Sequence, residues 1–186
     1  MSDVTFTLVV AATADGYIAR APDHPPHDWA SVEEQAQFFA RVEAADWAVM
    51  GRHTHEAADR PDRRRIVFSG GCPRPEWRRP TQLWLDPAGV TPADLPGLVA
   101  AVHPLRRGII LGGTRVHDWF LAHRAIHEVA LSVEPLRFDA GLPIFSGTGG
   151  RDPLEVLCAA GFEPHSEQVL NVIGTRLIIL RPAGET

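Results

Sequence analysis

The sequence predicts an α/β domain built on a mostly parallel mixed sheet, with helices on both faces and an antiparallel C-terminal hairpin. Three observations predict it. Apolar strand-like runs alternate with helix-like segments as far as Val133. Three of those runs end in small or glycine-rich turns, Met50-Gly51, Ser69-Gly70-Gly71 and Leu111-Gly112-Gly113, where open α/β sheets hold ligands. The last two strand-like runs follow one another with no helix between them, as an antiparallel pair does. With 186 residues, 45% hydrophobic and 22% charged, the chain reads as a single domain over 1–186 that is long enough to bury a core.

Taken in order, Thr5 to Ala12 (TFTLVVAA) reads as a buried strand. Residues 13–30 are a long loop holding Asp15-Gly16 and the proline-rich APDHPPHDW. Ser31 to Ala45 has Val32, Ala36, Phe39, Val42 and Ala45 near helical spacing, and Ser31 with Glu34 fits a capping box. Trp47 to Met50 is a short strand, and a helix begins near Thr54. Arg65 to Ser69 is a strand, and Leu83 to Leu85 another. Thr91-Pro92-Ala93-Asp94 opens a helix, with threonine as cap and proline in the first turn. Gly108 to Leu111 is a strand, Val116 to Ala122 a helix, and Ala125 to Val133 a strand. Asp152-Pro153 opens a helix over Leu154 to Ala160. Strands around Glu163 to Leu170 and Thr175 to Arg181 complete the chain.

Composition excludes several functions. A net charge of −5 disfavours nucleic-acid binding. MSDVTFTLVV lacks the basic start and cleavage site of a secretion signal. No apolar run approaches the ~20 residues that span a bilayer, so no membrane partner is expected and the cytoplasm is the expected location. All 18 basic residues are arginine, which rules out Schiff-base lysines and a Walker-type phosphate lysine. Cys72 reads as a loop thiol and Cys158 as a small core residue, neither with metal spacing. The nine histidines form no HExxH pattern, so no metal is expected, and apart from His53 they read as surface or loop residues.

The turns carry the chemistry. In VMGRHTHE, Gly51 ends a strand, Arg52 can clamp a phosphate in bidentate fashion, and Thr54 can cap the helix that follows. Gly112-Gly113-Thr114-Arg115 lets a ligand approach the backbone at a helix N-terminus, and equally serves as a tight turn. It is not the GxGxxG pattern. Arg63-Arg64-Arg65 is either a solvated face or an attractor for an extra phosphate.

These segments together resemble the dihydrofolate reductase superfamily. VMGRHTHE is similar to its strand-to-helix phosphate motif, IVFSGG at 66–71 to its adenosine-side turn, IILGGTRVHDWFL at 109–121 to its pyrophosphate turn, and VVAATADGYIA at 9–19 to its first strand and the loop beside the nicotinamide. DG-YIA, Trp29 with the Ser31-Val-Glu-Glu stretch, and Phe38-Phe39 are more similar to the branch containing the reductase domain of the bifunctional riboflavin-biosynthesis enzyme. The resemblance implies a dihydrofolate reductase-like three-layer α/β/α fold, NADPH as cofactor, a small-molecule substrate and a homodimer. It implies Val10, Ala11 and Ile18 at the nicotinamide, Gly51, Arg52, His53 and Thr54 at the phosphates, and Ser69 at the adenosine ribose. Gly112, Gly113, Thr114, Arg115 and Val116 fall at the pyrophosphate.

The implied activity is hydride transfer to a pyrimidine- or pterin-like substrate, as in the reductase that acts on a phosphoribosylaminouracil. A dihydrofolate or pteridine reductase and a non-catalytic NADP(H)-binding module are the alternatives. Counting back from Gly51, the superfamily's substrate-holding carboxylate falls on Gln35, and Leu111 stands where riboflavin members carry a glutamate. Glu34 is then the leading catalytic candidate, with the capping box as its structural reading; Glu33 is a weaker one. Asp15 either contacts substrate or shapes its turn, the turn being favoured. Ser132 either faces the pocket or is satisfied by backbone. Phe39 either stacks on a substrate ring or fills the core, which its helical spacing favours.

Overall fold

Leu8, Val10 and Ala12 are buried to one side of the first strand and Val9 to the other, as a central strand covered on both faces requires. The computed structural model describes residues 4–184. Its strands are β1 (Thr5–Thr13), β2 (Tyr17–Ala19), β3 (Trp47–Gly51), β4 (Arg65–Phe68), β5 (Glu76–Arg79), β6 (Gln82–Leu85), β7 (Arg107–Gly112), β8 (Glu128–Glu134), β9 (Leu142–Pro143), β10 (Phe162–Val169) and β11 (Arg176–Pro182). Its α-helices are α1 (Val32–Ala44), α2 (Arg52–Ala57), α3 (Leu95–Val99), α4 (Thr114–Ala122) and α5 (Pro153–Ala159).

Nine strands form one sheet in the order β10-β11-β8-β1-β7-β3-β4-β6-β5. Pairing is parallel from β8 through to β6. It turns antiparallel at both ends, through β11 and β10 on one side and β5 on the other. The expected mostly parallel sheet and C-terminal hairpin are therefore both present. Parallel register also aligns the ends of neighbouring strands: Met50 lies opposite Gly112 and Gly51 opposite Phe68. All three glycine turns thus leave the same edge of the sheet side by side.

The two faces are filled unequally. On one, Leu8, Val49, Ile66 and Ile110 pack with Leu95 and Val99 of α3, Val116 and Phe120 of α4, and Val156 and Leu157 of α5. On the other, Val9, Ala48, Met50 and Ile109 meet Phe38 and Val42 of α1. A single long helix cannot cover so wide a sheet, and the uncovered part becomes a cleft.

Some elements depart from expectation. β2 and β9 pair as a separate small sheet, and their short lengths leave too few residues for a period-two pattern. β5 is an exposed edge strand, with the same difficulty. β8 begins at Glu128 and not at Ala125, because His127 N–H donates to Phe6 O and turns the chain onto β1. The cysteines exchange roles: Cys72 is buried, its thiol donating to Trp84 O at 3.5 Å, and Cys158 is exposed. Thr91 uses its hydroxyl on Asp94 Oδ2 at 2.8 Å in a turn ahead of α3, so it does not cap that helix. Among the described residues, no helix is long and apolar enough to cross a membrane.

Candidate active site

Two helices start at the glycine turns. Gly51 is the N-cap of α2 and Gly113 that of α4, and neither helix has a side-chain cap. Thr54 is therefore inside α2 and not its cap, and α4 begins at Thr114 and not at Val116. No side-chain oxygen caps the first turn of either helix, the condition an anion site needs; in α4 the Val116 N–H is taken by Gly113 O at 2.9 Å. Gly51 sits where a Cβ would lie 3.5 Å from Val116 Cγ2 and 3.8 Å from Gly112 O, whereas a Cβ on Gly113 would meet nothing within 4 Å. Val116 is buried beneath the two turns.

Around this groove stand the polar groups read from the sequence. Arg52 and His53 are exposed, 3.4 Å apart at Arg52 Nη2 and His53 Nε2, and Arg52 also reaches Glu56 at 3.9 Å. Arg115 is exposed and Ser69 half-buried. Thr114 differs in role: its hydroxyl donates to Pro143 O at 2.6 Å, tying α4 to β9. Glycine backbones, two uncapped helix starts and two exposed arginines on one sheet edge fit a dinucleotide bearing several phosphates.

Beside the groove lies a cavity of about 570 Å³. Val10, Ala11, Ile18, Thr54 and Gly113 line it, as do Glu34, Gln35 and Phe39. Its floor is the less covered sheet face, through Val9, Ala48 and Met50, and its far wall runs from Ala57 to Arg65. Phe39 is 44% exposed, so it is a wall of the cavity mouth and not core. Leu111 and Leu142 also line the space.

Glu34 is the buried carboxyl of this cavity, 2% exposed. The capping box is only half formed. Ser31 Oγ accepts from Glu34 N at 3.3 Å, but Ser31 N donates to Glu134 Oε1 at 2.7 Å, from across the sheet. Glu134 also accepts from the Thr175 hydroxyl at 2.7 Å. The Glu34 carboxyl is thus released from capping. Gln37 Nε2 bridges Glu34 Oε1 at 3.2 Å and Ser132 Oγ at 3.1 Å, which places fully buried Ser132 in the same network. Burial pushes the Glu34 pKa up to about 7, with the Glu134 carboxylate adding to the rise and hydrogen bonds from Gln37 and Ser132 opposing it. Gln35 turns its amide to Ala30 O at 2.9 Å.

Asp15 does not join the site. Its carboxylate accepts from the Thr13 hydroxyl at 2.6 Å, Phe138 N at 3.2 Å and Asp139 N at 2.8 Å. Burial opposes its ionisation, yet these bonds outweigh burial and hold its pKa low. It is a loop brace, because every partner belongs to the 13–15 or 138–139 turns.

The reading of the histidines also needs correction. His55 is buried, with Nδ1 3.0 Å from Arg65 Nη1, and His117 is 1% exposed and lines the cavity. For His117 the only sequence signal of burial is its place three residues before Phe120 and next to Val116 on α4.

Solved structures share this fold. A protein assigned to riboflavin biosynthesis in Shewanella sp. PV-4 matches with a TM-score of 0.69 and 19% identity, over 96% of this chain and 99% of that one. A dihydrofolate reductase from Enterococcus faecalis, complexed with NADP(H) and RAB-propyl, matches with a TM-score of 0.63 and 16% identity, over 96% of each chain. The chain therefore has the dihydrofolate reductase-like fold. No protein-family model and no curated protein matches its sequence.

Proposed function

We propose that the protein is an NADPH-dependent reductase that delivers a hydride to a pyrimidine- or pterin-like ring. The observation that carries this reading is Glu34: a buried carboxyl, freed from helix capping, facing a cavity that opens onto the glycine-turn groove. When bound, the dihydronicotinamide supplies the hydride to a C=N or C=O carbon. The chain's own part is to hold two flat rings together between β1 and α1, to exclude water, and to protonate the ring atom that gains the electron pair. A carboxyl with a pKa of about 7 is about half protonated at neutral pH and exchanges its proton readily. The Enterococcus neighbour, solved with NADP(H), supports the cofactor, and the Shewanella neighbour, assigned to riboflavin biosynthesis, supports the riboflavin branch of the fold.

NADPH oxidation assayed with a phosphoribosylaminouracil, dihydrofolate and a dihydropterin tests the proposal. Turnover with the uracil marks a pyrimidine reductase, and turnover with either pterin the folate or pteridine alternative. Glu34→Gln should lower kcat by about a hundredfold. Tight NADPH binding with no oxidation by any of the three instead marks a binding module, the reading that Leu111 in the cavity wall favours.

A further inference from the structure

His117 holds a polar atom that the proposed hydride chemistry does not use. The ring is anchored from behind, its Nδ1 lying 2.8 Å from Ile144 O. A carbonyl only accepts, so Nδ1 carries the proton and Nε2 is left as a bare lone pair. Among the described residues, Nε2 is buried with no hydrogen-bond partner. An unpaired buried acceptor is costly to leave unmade, and such a group calls for a ligand or ion that completes it. Protonation cannot relieve it, since burial pulls the His117 pKa down to about 4, with the Ile144 carbonyl and Asp118 opposing.

The surroundings point the same way. Nε2 lies against the Gly112-Gly113 turn: a Cβ on Gly112, whose φ is +103°, would sit 3.2 Å from it. Glycine thus keeps side-chain atoms away from the lone pair. Gly113, next in the turn, borders open space and lines the cavity together with His117 and Ile18.

We infer that His117 Nε2 is a ligand-recognition atom, which accepts a hydrogen bond from an uncharged N–H or O–H of the dinucleotide seated on the Gly112-Gly113 turn. The inference rests on the proposed cofactor reading. At the nicotinamide end, where Ile18 lines the cavity with His117, two donors have the required chemistry, the carboxamide N–H₂ and a ribose hydroxyl. A ligand offering only acceptors at this point leaves the lone pair unpaired and binds more weakly.

The test uses the full-length protein labelled with ¹⁵N-histidine. NADPH should move the unprotonated His117 nitrogen resonance upfield, as acceptance of a hydrogen bond does, and leave the Nδ1 resonance nearly in place. The reduced 3-acetylpyridine analogue of NADPH lacks the amide donor. Loss of the shift with that analogue assigns the carboxamide, and its retention assigns a ribose hydroxyl. Two variants separate recognition from scaffolding. His117→Asn keeps a donor for Ile144 O but places no acceptor at the Nε2 position, and should weaken NADPH roughly three- to tenfold. His117→Gln keeps a group at the Nε2 position and should bind more tightly than His117→Asn. If NADPH binds to the wild type without moving the nitrogen, and His117→Asn binds as the wild type does, the inference falls while the cofactor reading stands. If neither NADPH nor NADH binds, both fall.

Discussion

At the scale of the residue, the proposed chemistry turns on Glu34. Its folded pKa of about 7 lies above the 4.5 of a free glutamic acid because of burial first and Glu134 second. A proton donor of this kind predicts that kcat falls as pH rises through about 7, and that Glu34→Gln removes that limb of the profile; initial rates across pH 5–9 check it. Replacing Glu134 by Gln should lower the pH at which the limb appears, since the second contribution to the shift is gone. The Glu34 candidacy was legible by counting back from Gly51 to Gln35, one residue away, but its freedom from capping was not. The motif Ser31-x-x-Glu34 satisfies a capping box in sequence, and only the long-range bond from Ser31 N to Glu134 overrides it. His117 was illegible for a similar reason. Its burial comes from the contact with Ile144 O, a residue 27 positions away, and a histidine at helical spacing carries no sign of an unpaired nitrogen.

At the scale of the element, the long first loop is held by one side chain. Asp15 links the Thr13 turn to the backbone of Phe138 and Asp139, and Gly16, with φ of +83° and Arg151 O against its missing Cβ, closes the turn. Asp15→Ala should cost about 3 kcal/mol, from three charge-assisted hydrogen bonds lost in a buried place. It should leave the pH limb assigned to Glu34 intact. Urea unfolding of the variant measures the first and its rate profile the second. Helices and parallel strands were read from the sequence within a few residues because periodicity sets them locally. The turn strands β2 and β9 were not, because two or three residues hold no pattern and their pairing brings Tyr17 opposite Pro143, far along the chain. Of the glycine turns, both helix starts were foreseen. The caps were misplaced because Thr54 and Thr91 are good capping residues wherever they stand, and tertiary contacts decided which backbone position opens each helix.

At the scale of the whole molecule, two buried groups oppose one another in pH dependence. Glu34 binds its proton more tightly in the folded state than in the unfolded, so its contribution to stability is full below pH 4.5 and is lost as pH rises through about 7. His117 binds its proton less tightly when folded, so its contribution is present above pH 6.5 and is lost as pH falls towards about 4. Each amounts to about 3 kcal/mol, and they nearly cancel between pH 4.5 and 6.5. Thermal melts across that window should then show a Tm that rises more steeply with pH in Glu34→Gln than in the wild type, and less steeply in His117→Asn. The same global arrangement carries the central claim, because parallel pairing of β7, β3 and β4 sets three glycine turns along one edge. The alternation of strands and helices made that edge legible in the sequence; the cleft beside it was not, since it arises from α1 alone covering one sheet face. The most direct test is a titration of the purified protein with NADPH and with NADH, followed by nicotinamide fluorescence, for the wild type and Arg52→Ala. Saturable binding that favours NADPH and weakens about tenfold in Arg52→Ala is the predicted result, and absence of binding by either dinucleotide would contradict the account.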